Sequence, residues 1–392
     1  MFSFYPLEIS AISVSLRCDF FTSFRKLSGM VLFACRRGGG IVQTEHKINL
    51  MGLSPEEIQD IVVQMDEPAF RARQICSGIY RRHALSWDHL TDLSKSLRQK
   101  LCEKYEVQYP LAHQAFQSKD GTRRYLFGLG PQEWIESVFI PEDSRDTFCI
   151  STQVGCAVGC LYCLTGKLAM RRNLAAGEII GQVLALLKDR ETPSKRLNVV
   201  IMGMGEPLFN YDNVMKAIRL MTDARAMALS PRRITLSTSG VVPGIRKLAL
   251  EPVIPNLAIS LNATTDKLRD QLIPINRKWK ISELMEACRS FPLEKRQRIT
   301  FEYVLIAGIN DAPEDARRMV RLLAGLKQKV NLIPFNEDPR LPFTSPDEER
   351  VLAFQKILVD RSITASIRKA RGADISAACG LLAGREIRNP SQ

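Results

Sequence analysis

Three cysteines stand within eight residues in the stretch QVGCAVGCLYC, at Cys156, Cys160 and Cys163, spaced C-x3-C-x2-C. Three thiolates suit a catalytic zinc with one open position, although zinc sites usually draw on two separated pairs of ligands. Three buried structural cysteines are the plainer alternative. The third possibility is that one short loop holds three corners of a cubane iron–sulfur cluster. The fourth iron then has no protein ligand and is free for a small chelator. The amino and carboxylate groups of S-adenosylmethionine form such a chelator, and an electron from the cluster can break its carbon–sulfur bond to release a 5′-deoxyadenosyl radical. All four histidines, His46, His83, His89 and His113, precede the loop, so a histidine ligand or base must come from the N-terminal third.

The loop needs a scaffold, and the residues around it read as alternating strands and helices. Short apolar runs occur at TFCIS, LNVVIMG, RITLSTS, NLAISLN, ITFEYVLI, KVNLIPF and ITASIRK. Amphipathic stretches separate them, such as AGEIIGQVLALLKD with Ile179, Ile180, Val183, Leu186 and Leu187 at helical spacing. Alternation of this kind implies an α/β fold with a parallel sheet, because parallel strands need crossover helices. Six or so units fit a partial barrel, a (β/α)6 arrangement, better than a complete eight-unit one. Chemistry in such barrels sits at the C-terminal ends of the strands, and the cysteine loop follows the first strand. Ser345, Pro346 and Glu348 read as a helix start with a capping box, as do Ser54, Pro55 and Glu57. From Leu53 to about Tyr105 the chain reads as helical, with Arg71, Arg73, Arg81, Arg82 and Arg98 on a basic face that is either solvated or in contact with RNA. Residues 112–140 read as a β adapter with a hairpin through Gly130 and Pro131.

Composition narrows the class. The chain has 392 residues and a formal net charge of +13, which favours a polyanionic partner such as nucleic acid. Ten scattered cysteines in a chain of this length suit reduced thiols in the cytoplasm rather than disulfide staples. No apolar run approaches the roughly 18 residues of a membrane-spanning helix, so no membrane partner is expected. Residues 1–45 read as an unassigned tail: disordered, targeting, or a stretch ahead of a true start at Met30 or Met51.

GMGEP, from Gly203 to Pro207, follows the second strand and resembles the radical-SAM motif whose backbone and Glu206 receive the methionine amino group. With FCISTQVGCAVGCLYC, RRNLAAGEIIGQV, GMGEPLFN, ITLSTSGVVPGI, AISLNATTDKLRD, NLIPFN and RGADISAACGLLAG in order, residues 53–384 resemble the RlmN/Cfr family of radical-SAM RNA methyltransferases. QVGC and RNL look more like the RlmN branch. Leu164, Ala169 and Met170 stand where related sequences often carry Ser or Ala, Gly and Phe, and Asn262 where some carry His.

The resemblance implies a partial (β/α)6 radical-SAM barrel with a small N-terminal helical domain and a β adapter. The expected boundaries are a helical RNA-contacting domain at 46–110, the adapter at 111–141, the radical-SAM core at 142–372 and a C-terminal segment with the methyl-carrying cysteine at 373–392. It implies methylation of carbon 2 of adenine in 23S rRNA and tRNA, with one 4Fe-4S cluster and two molecules of S-adenosylmethionine per turnover. By similarity Cys379 accepts the methyl, Cys149 frees the RNA through a transient disulfide and Glu136 accepts a proton. Cys156, Cys160 and Cys163 hold the cluster. Gly205, Glu206, Ser237, Ser260, Leu261, Asn262 and Asn336 match cofactor-binding positions. A flavodoxin-like electron donor and a monomer are expected. A carbon-8 methyltransferase of the Cfr branch and a noncatalytic RNA-binding iron–sulfur protein are the competing readings. Read without the resemblance, Cys379 is a small buried apolar residue, Cys149 belongs to the core and Glu136 is a solvent-facing strand carboxylate.

Overall fold

The computed structural model describes residues 36–37, 40–41, 47–190 and 196–383. Two compact units emerge, Met1–His46 and Lys47–Gln392. In the first, Arg36–Arg37 pairs antiparallel with Gly40–Ile41. The reading of residues 1–45 as a tail otherwise lies outside the described residues.

The second unit opens with helices α1 (Pro55–Gln64), α2 (Phe70–Tyr80) and α3 (Lys95–Lys104). The expected capping box is present: Glu57 N donates to Ser54 Oγ and Ser54 N to Glu57 Oε2. Ile58 and Val62, Ile75 and Ile79, and Leu97 and Leu101 recur at helical spacing and are fully buried. These helices pack on the segments that follow the cysteine loop. Gly52 lies at φ +92°, where a Cβ would come within 2.3 Å of Gly177 N, so only glycine allows this backbone contact.

The arginines of the expected basic face are mostly engaged within the protein. Arg81 donates to the carbonyls of Ala224 and Ala226, and Arg71 to that of Asp92. Arg82 pairs with Asp92 and Arg98 with Asp88. Over residues 47–107, nine basic residues are matched by nine acidic ones. Single-residue types suggested a basic face; partners at a distance in sequence neutralise most of it.

Ten strands form one sheet. In chain order they are β1 (Ala112–Gln117), β2 (Arg123–Gly130), β3 (Glu133–Pro141), β4 (Arg145–Cys149), β5 (Arg196–Ile201), β6 (Ile234–Thr238), β7 (Asn256–Ser260), β8 (Ile299–Leu305), β9 (Gln328–Pro334) and β10 (Ala365–Ile367). Their spatial order is the chain order from β1 to β10. Strands β4 to β10 are parallel, and each of the seven apolar runs supplies one of them. The six crossovers carry α4 (Ala176–Leu187), α5 (Tyr211–Thr222), α6 (Val242–Leu248), α7 (Asp266–Leu272) with α8 (Ile281–Ser290), α9 (Pro313–Leu322) and α10 (Glu348–Val359). The adapter is not set apart from this sheet. Strands β1 to β3 extend it antiparallel, with β3 paired to β4 from Val138↔Cys149 to Pro141↔Asp146. The cap of α10 also differs from expectation. Asp347, not Ser345, accepts the Arg350 N–H, because the helix begins at Glu348, too late for Ser345 to reach its free amides.

Register separates the two faces. Phe148, Val199, Ile234, Leu236, Leu257, Ile259, Phe301, Val330 and Leu332 are buried on one face. The other carries Cys149, Thr235, Ser237, Ser260, Thr300, Glu302, Lys329, Asn331 and Ser366, which alternate with the apolar set along each strand. A sheet with an apolar outer face and a polar inner one packs helices outside and leaves a polar interior for a ligand.

Candidate active site

The cysteine loop is closed at its base by Gln153–Val154 pairing antiparallel with Arg172–Asn173. Gly155 turns the chain there at φ +79°, where a Cβ would meet the Ala169 carbonyl at 2.2 Å. Leu161 N donates to the Leu272 carbonyl (3.1 Å) and ties the loop to α7. A small apolar cluster holds it from beneath, with Val158 and Leu164 packed among Leu272, Ile273, Phe335, Ala378 and Leu381. Ala378 and Leu381 flank Cys379, so both cysteine-bearing segments share one foundation.

Hydrogen bonds pin the Cys379 segment on several sides. Leu164 N donates to the Gly380 carbonyl (2.8 Å) and Thr165 Oγ1 to that of Leu382 (2.5 Å). Asn336 Nδ2 donates to the Cys379 carbonyl (3.0 Å), and Ala383 N to Glu136 Oε2 (2.9 Å). Further back, Asp374 accepts from Ser118 Oγ and Lys119 N in the β1–β2 turn. The thiol itself is open to solvent. The surrounding protein pushes its pKa up, with the Glu302 carboxylate the next contributor. Cys149, at the end of β4 on the interior face, is close enough for the Cys379 charge to act on it, and burial pushes its thiol up to about 12.

Glu136 is fully buried, which overturns the solvent-facing alternative. On β3 it shares a face with Val138, the register partner of Cys149. Its Oε1 accepts from Arg124 Nη1 at 3.0 Å, and Arg340 lies within electrostatic range. Buried carboxylates are paired for good reason: an isolated one costs several kcal/mol or changes its protonation state.

The strand-end residues divide into two groups. Ser237 and Ser260 stand on the interior face, half-buried. Leu261 is buried, its N–H on the Glu302 carbonyl and its own carbonyl on Arg269 Nε. Others are committed to the protein. Glu206 accepts from Ser239 N and Oγ, both at 2.7 Å, on Oε2 and from Leu208 N on Oε1, so most of its carboxylate is engaged within the protein. Its N–H donates to Gln153 Oε1, and Gly205 at φ +99° packs its Cα against the Gln153 stem. Asn262, at φ +52°, donates to Tyr162 Oη (2.5 Å) and accepts from Val304 N (2.7 Å), bridging the cysteine loop to β8.

Burial pushes the three loop thiols up, Cys156 to about 12; Glu206 and Cys163 add to the shift at Cys156, and the other two loop thiols to that at Cys160. Among the described residues no three His, Cys, Asp or Glu side chains converge as a single metal ion requires. Thiolates that bind different corners of a cluster need no such convergence, and loading iron releases their protons. Arg269 adds a compensating charge. It is fully buried, donates to the carbonyls of Leu261, Ser260 and Ser239 and to Asn276 Oδ1, and acts electrostatically on Cys160. The donor set therefore fits a 4Fe-4S cluster.

Residues 48–107 match the ribosomal RNA large subunit methyltransferase N-terminal domain, and residues 150–323 the radical SAM superfamily. A dual-specificity RNA methyltransferase RlmN from Geobacter sulfurreducens is 48% identical over 339 residues, which cover 86% of this chain and 92% of the relative. One from Pelobacter propionicus is 46% identical, over 86% of this chain and 96% of the relative. The crystal structure of a radical SAM methyltransferase from Sphaerobacter thermophilus aligns with a TM-score of 0.81 at 44% identity, covering 86% of this chain and 99% of that one.

The chain belongs to the RlmN family. Its radical SAM domain calls for S-adenosylmethionine and a 4Fe-4S cluster. Within this RlmN fold, sequence reasoning missed Arg124, Gln153, Arg269 and the interior chain in which Ser366 Oγ donates to Asn331 Oδ1 and Asn331 Nδ2 to Glu302 Oε1. Lone charged or amide residues on strands carry no local signal of what they will meet.

Proposed function

We propose that this radical-SAM RNA methyltransferase methylates carbon 2 of adenine in 23S rRNA and tRNA, with Cys379 as methyl carrier, Cys149 as the releasing thiol and Glu136 as proton acceptor. The observation that carries this reading is the placement of Cys379. Its segment is bonded to the cysteine loop, to Asn336 and to Glu136, and its charge reaches Cys149. When bound, the cluster and two molecules of S-adenosylmethionine per turnover supply the methyl group and a 5′-deoxyadenosyl radical.

Adenine carbon 2 is electron-poor and cannot attack a methyl cation, so the methyl is carried first on Cys379 sulfur. After hydrogen is abstracted from that methyl, its carbon bonds to carbon 2 and links RNA to protein. Glu136 takes the carbon-2 proton, and the one electron that the adduct must also lose would pass to the cluster. Arg124 Nη1 holds Glu136 Oε1 in place at 3.0 Å. Glu136 Oε2 accepts from the Ala383 N–H, which ties this carboxylate to the Cys379 segment. Cys149 thiolate then bonds to Cys379 sulfur, and the carbon–sulfur bond to the RNA breaks with its electron pair on the methylene carbon. That carbon takes up a proton to become the methyl, and a two-electron thiol reductant restores both cysteines before the next turnover. Gly205, Glu206, Ser237, Ser260, Leu261, Asn262 and Asn336 form the wall of the cofactor site, with Glu206 and Asn262 acting by fixing the backbone. We read the reductant as flavodoxin-like, the chain as a monomer and the compartment as the cytoplasm. No helix among the described residues is long and apolar enough to cross a membrane.

The test is the product. In a host lacking its own enzyme and complemented with this gene, nucleoside digests of rRNA and tRNA should contain 2-methyladenosine. 8-Methyladenosine alone would favour the Cfr-like reaction. No methylated adenine, with cluster and cofactor bound, would refute both.

A further inference from the structure

The surplus of positive charge is not where the N-terminal helices are. Residues 47–107 are neutral overall and the preceding 46 carry an excess of two, so residues 108–392 hold an excess of eleven. Part of it gathers at the N-terminal ends of β8 and β9. Lys295, Arg296 and Arg298 lead into β8, and Lys327 and Lys329 flank the start of β9, all exposed. Two grooves meet there and share Arg296, Gln297 and Arg298. One of about 270 Å³ adds Arg232 and Lys329. The other, of about 510 Å³, adds Lys295, Lys327 and the hydroxyl residues Ser362 and Thr364. The one carboxylate in either lining, Glu294, is paired with Arg232 at 2.6 Å.

Like charges crowd further inward. Although Lys329 is open to solvent, the protein packed around it lowers its pKa; Glu302 opposes that shift, and Arg368, Arg145 and Arg298 add to it. Lys329 and Glu302 share the interior face, and Glu302 and Arg368 both act on Cys379. The mouth lies at the end of the strands opposite Cys379, whose segment is bonded to Asn336 beyond the C-terminal end of β9. Cations gathered this way repel one another and gain most from a ligand with several phosphates.

We propose that this mouth, formed by Lys295, Arg296, Arg298, Lys327 and Lys329, docks the phosphodiester backbone of the substrate RNA at a stretch remote from the target adenine, which meets Cys379 at the opposite ends of the strands. The proposal rests on reading the chain as an RNA methyltransferase. Hydroxyls beside the cations suit phosphate oxygens. An acidic reductase is the other macromolecule that a basic surface attracts. It would have to reach the cysteine loop, which lies at the opposite ends of the strands.

The experiment uses the full chain with its cluster loaded under anaerobic conditions and a synthetic RNA hairpin with adenine in its loop. Affinity is followed by fluorescence anisotropy as salt is raised. In Lys295→Gln/Arg296→Gln/Lys327→Gln, the slope of log K against log salt should become shallower by about 2, and binding near 0.1 M salt should weaken roughly tenfold. The equally discharged Arg73→Gln/Lys95→Gln/Lys104→Gln variant of the helical segment should lose less. None of the mouth side chains replaced makes a hydrogen bond or ion pair in the described structure, so the fold is retained. An unchanged slope at the mouth with a full loss on the helices would overturn the proposal. So would normal RNA binding accompanied by slower reduction of the cluster by a flavodoxin. Binding is read without turnover, and the mass of tryptic Cys379 peptides decides separately whether that residue carries a methyl.

Discussion

At the C-terminal ends of the parallel strands polar groups are matched to partners inside the protein, whereas at the N-terminal ends of β8 and β9 basic side chains stand open to solvent. Glu206 takes three donors, Arg269 reaches four acceptors and Asn262 uses both ends of its amide. Lys295, Arg296 and Lys327 are exposed around grooves whose carboxylate is already taken. The difference follows from what each end must do. Radical chemistry needs atoms held to a fraction of an ångström, which saturated networks provide. Attraction of a polyanion needs charge and reach and tolerates loose geometry.

The comparison breaks most sharply at the cysteine loop. Cys156→Ala, Cys160→Ala or Cys163→Ala should take anaerobically reconstituted protein from about four irons to essentially none, read by iron analysis and visible absorption. The mouth variants should keep their iron. Stoichiometric zinc without iron in the unsubstituted protein would sink the radical reading.

A smaller but graded effect concerns Cys149. Cys149→Ala should accumulate a covalent protein–RNA adduct, seen as a gel-shifted band that survives denaturation. In the unsubstituted protein release requires the thiolate, and burial holds that thiol near 12. Throughout the range below that value, adduct decay should therefore quicken as pH rises, by up to about tenfold per unit, because the thiolate fraction does. A rate that is flat between pH 7 and 9 would mean that attack by Cys149 does not limit release.

The smallest effect is expected at Arg269. Arg269→Lys keeps the charge but cannot reach all four acceptors, and leaving buried acceptors unmatched costs about 1–3 kcal/mol each. Thermal unfolding should come earlier and the cluster should bleach faster in air. RNA affinity should hold, since Arg269 is fully buried and far in function from the basic mouth. Equal losses of RNA affinity and cluster lifetime would blur the distinction between the two ends.

The strands and the cysteine loop were legible because their signals are local. An apolar run bounded by turn residues becomes a strand whatever lies elsewhere, and all seven runs did. Three thiols at C-x3-C-x2-C mark themselves as a candidate site by spacing alone, although the choice among zinc, iron–sulfur and structural roles drew on motifs further along the chain. Ser54 and Glu57 likewise meet across three residues, while Ser345 failed as a cap because the backbone enters α10 two residues later, at Asp347.

Partnerships across long stretches of chain were another matter. Glu136 alternates with apolar neighbours as an outward-facing residue would, yet the sheet buries it against Arg124 and the segment 247 residues further on. Five arginines suggested a basic surface, and four of them found partners within the fold. Sequence alone settled which segments become strands and that the chain carries surplus positive charge, and it singled out the three thiols proposed as cluster ligands. Tertiary structure decided where that charge stays unmatched and which polar groups are spent on holding the site. Secondary-structure signals depend on neighbours along the chain, whereas the state of a charged group depends on whatever the fold brings to within a few ångström of it.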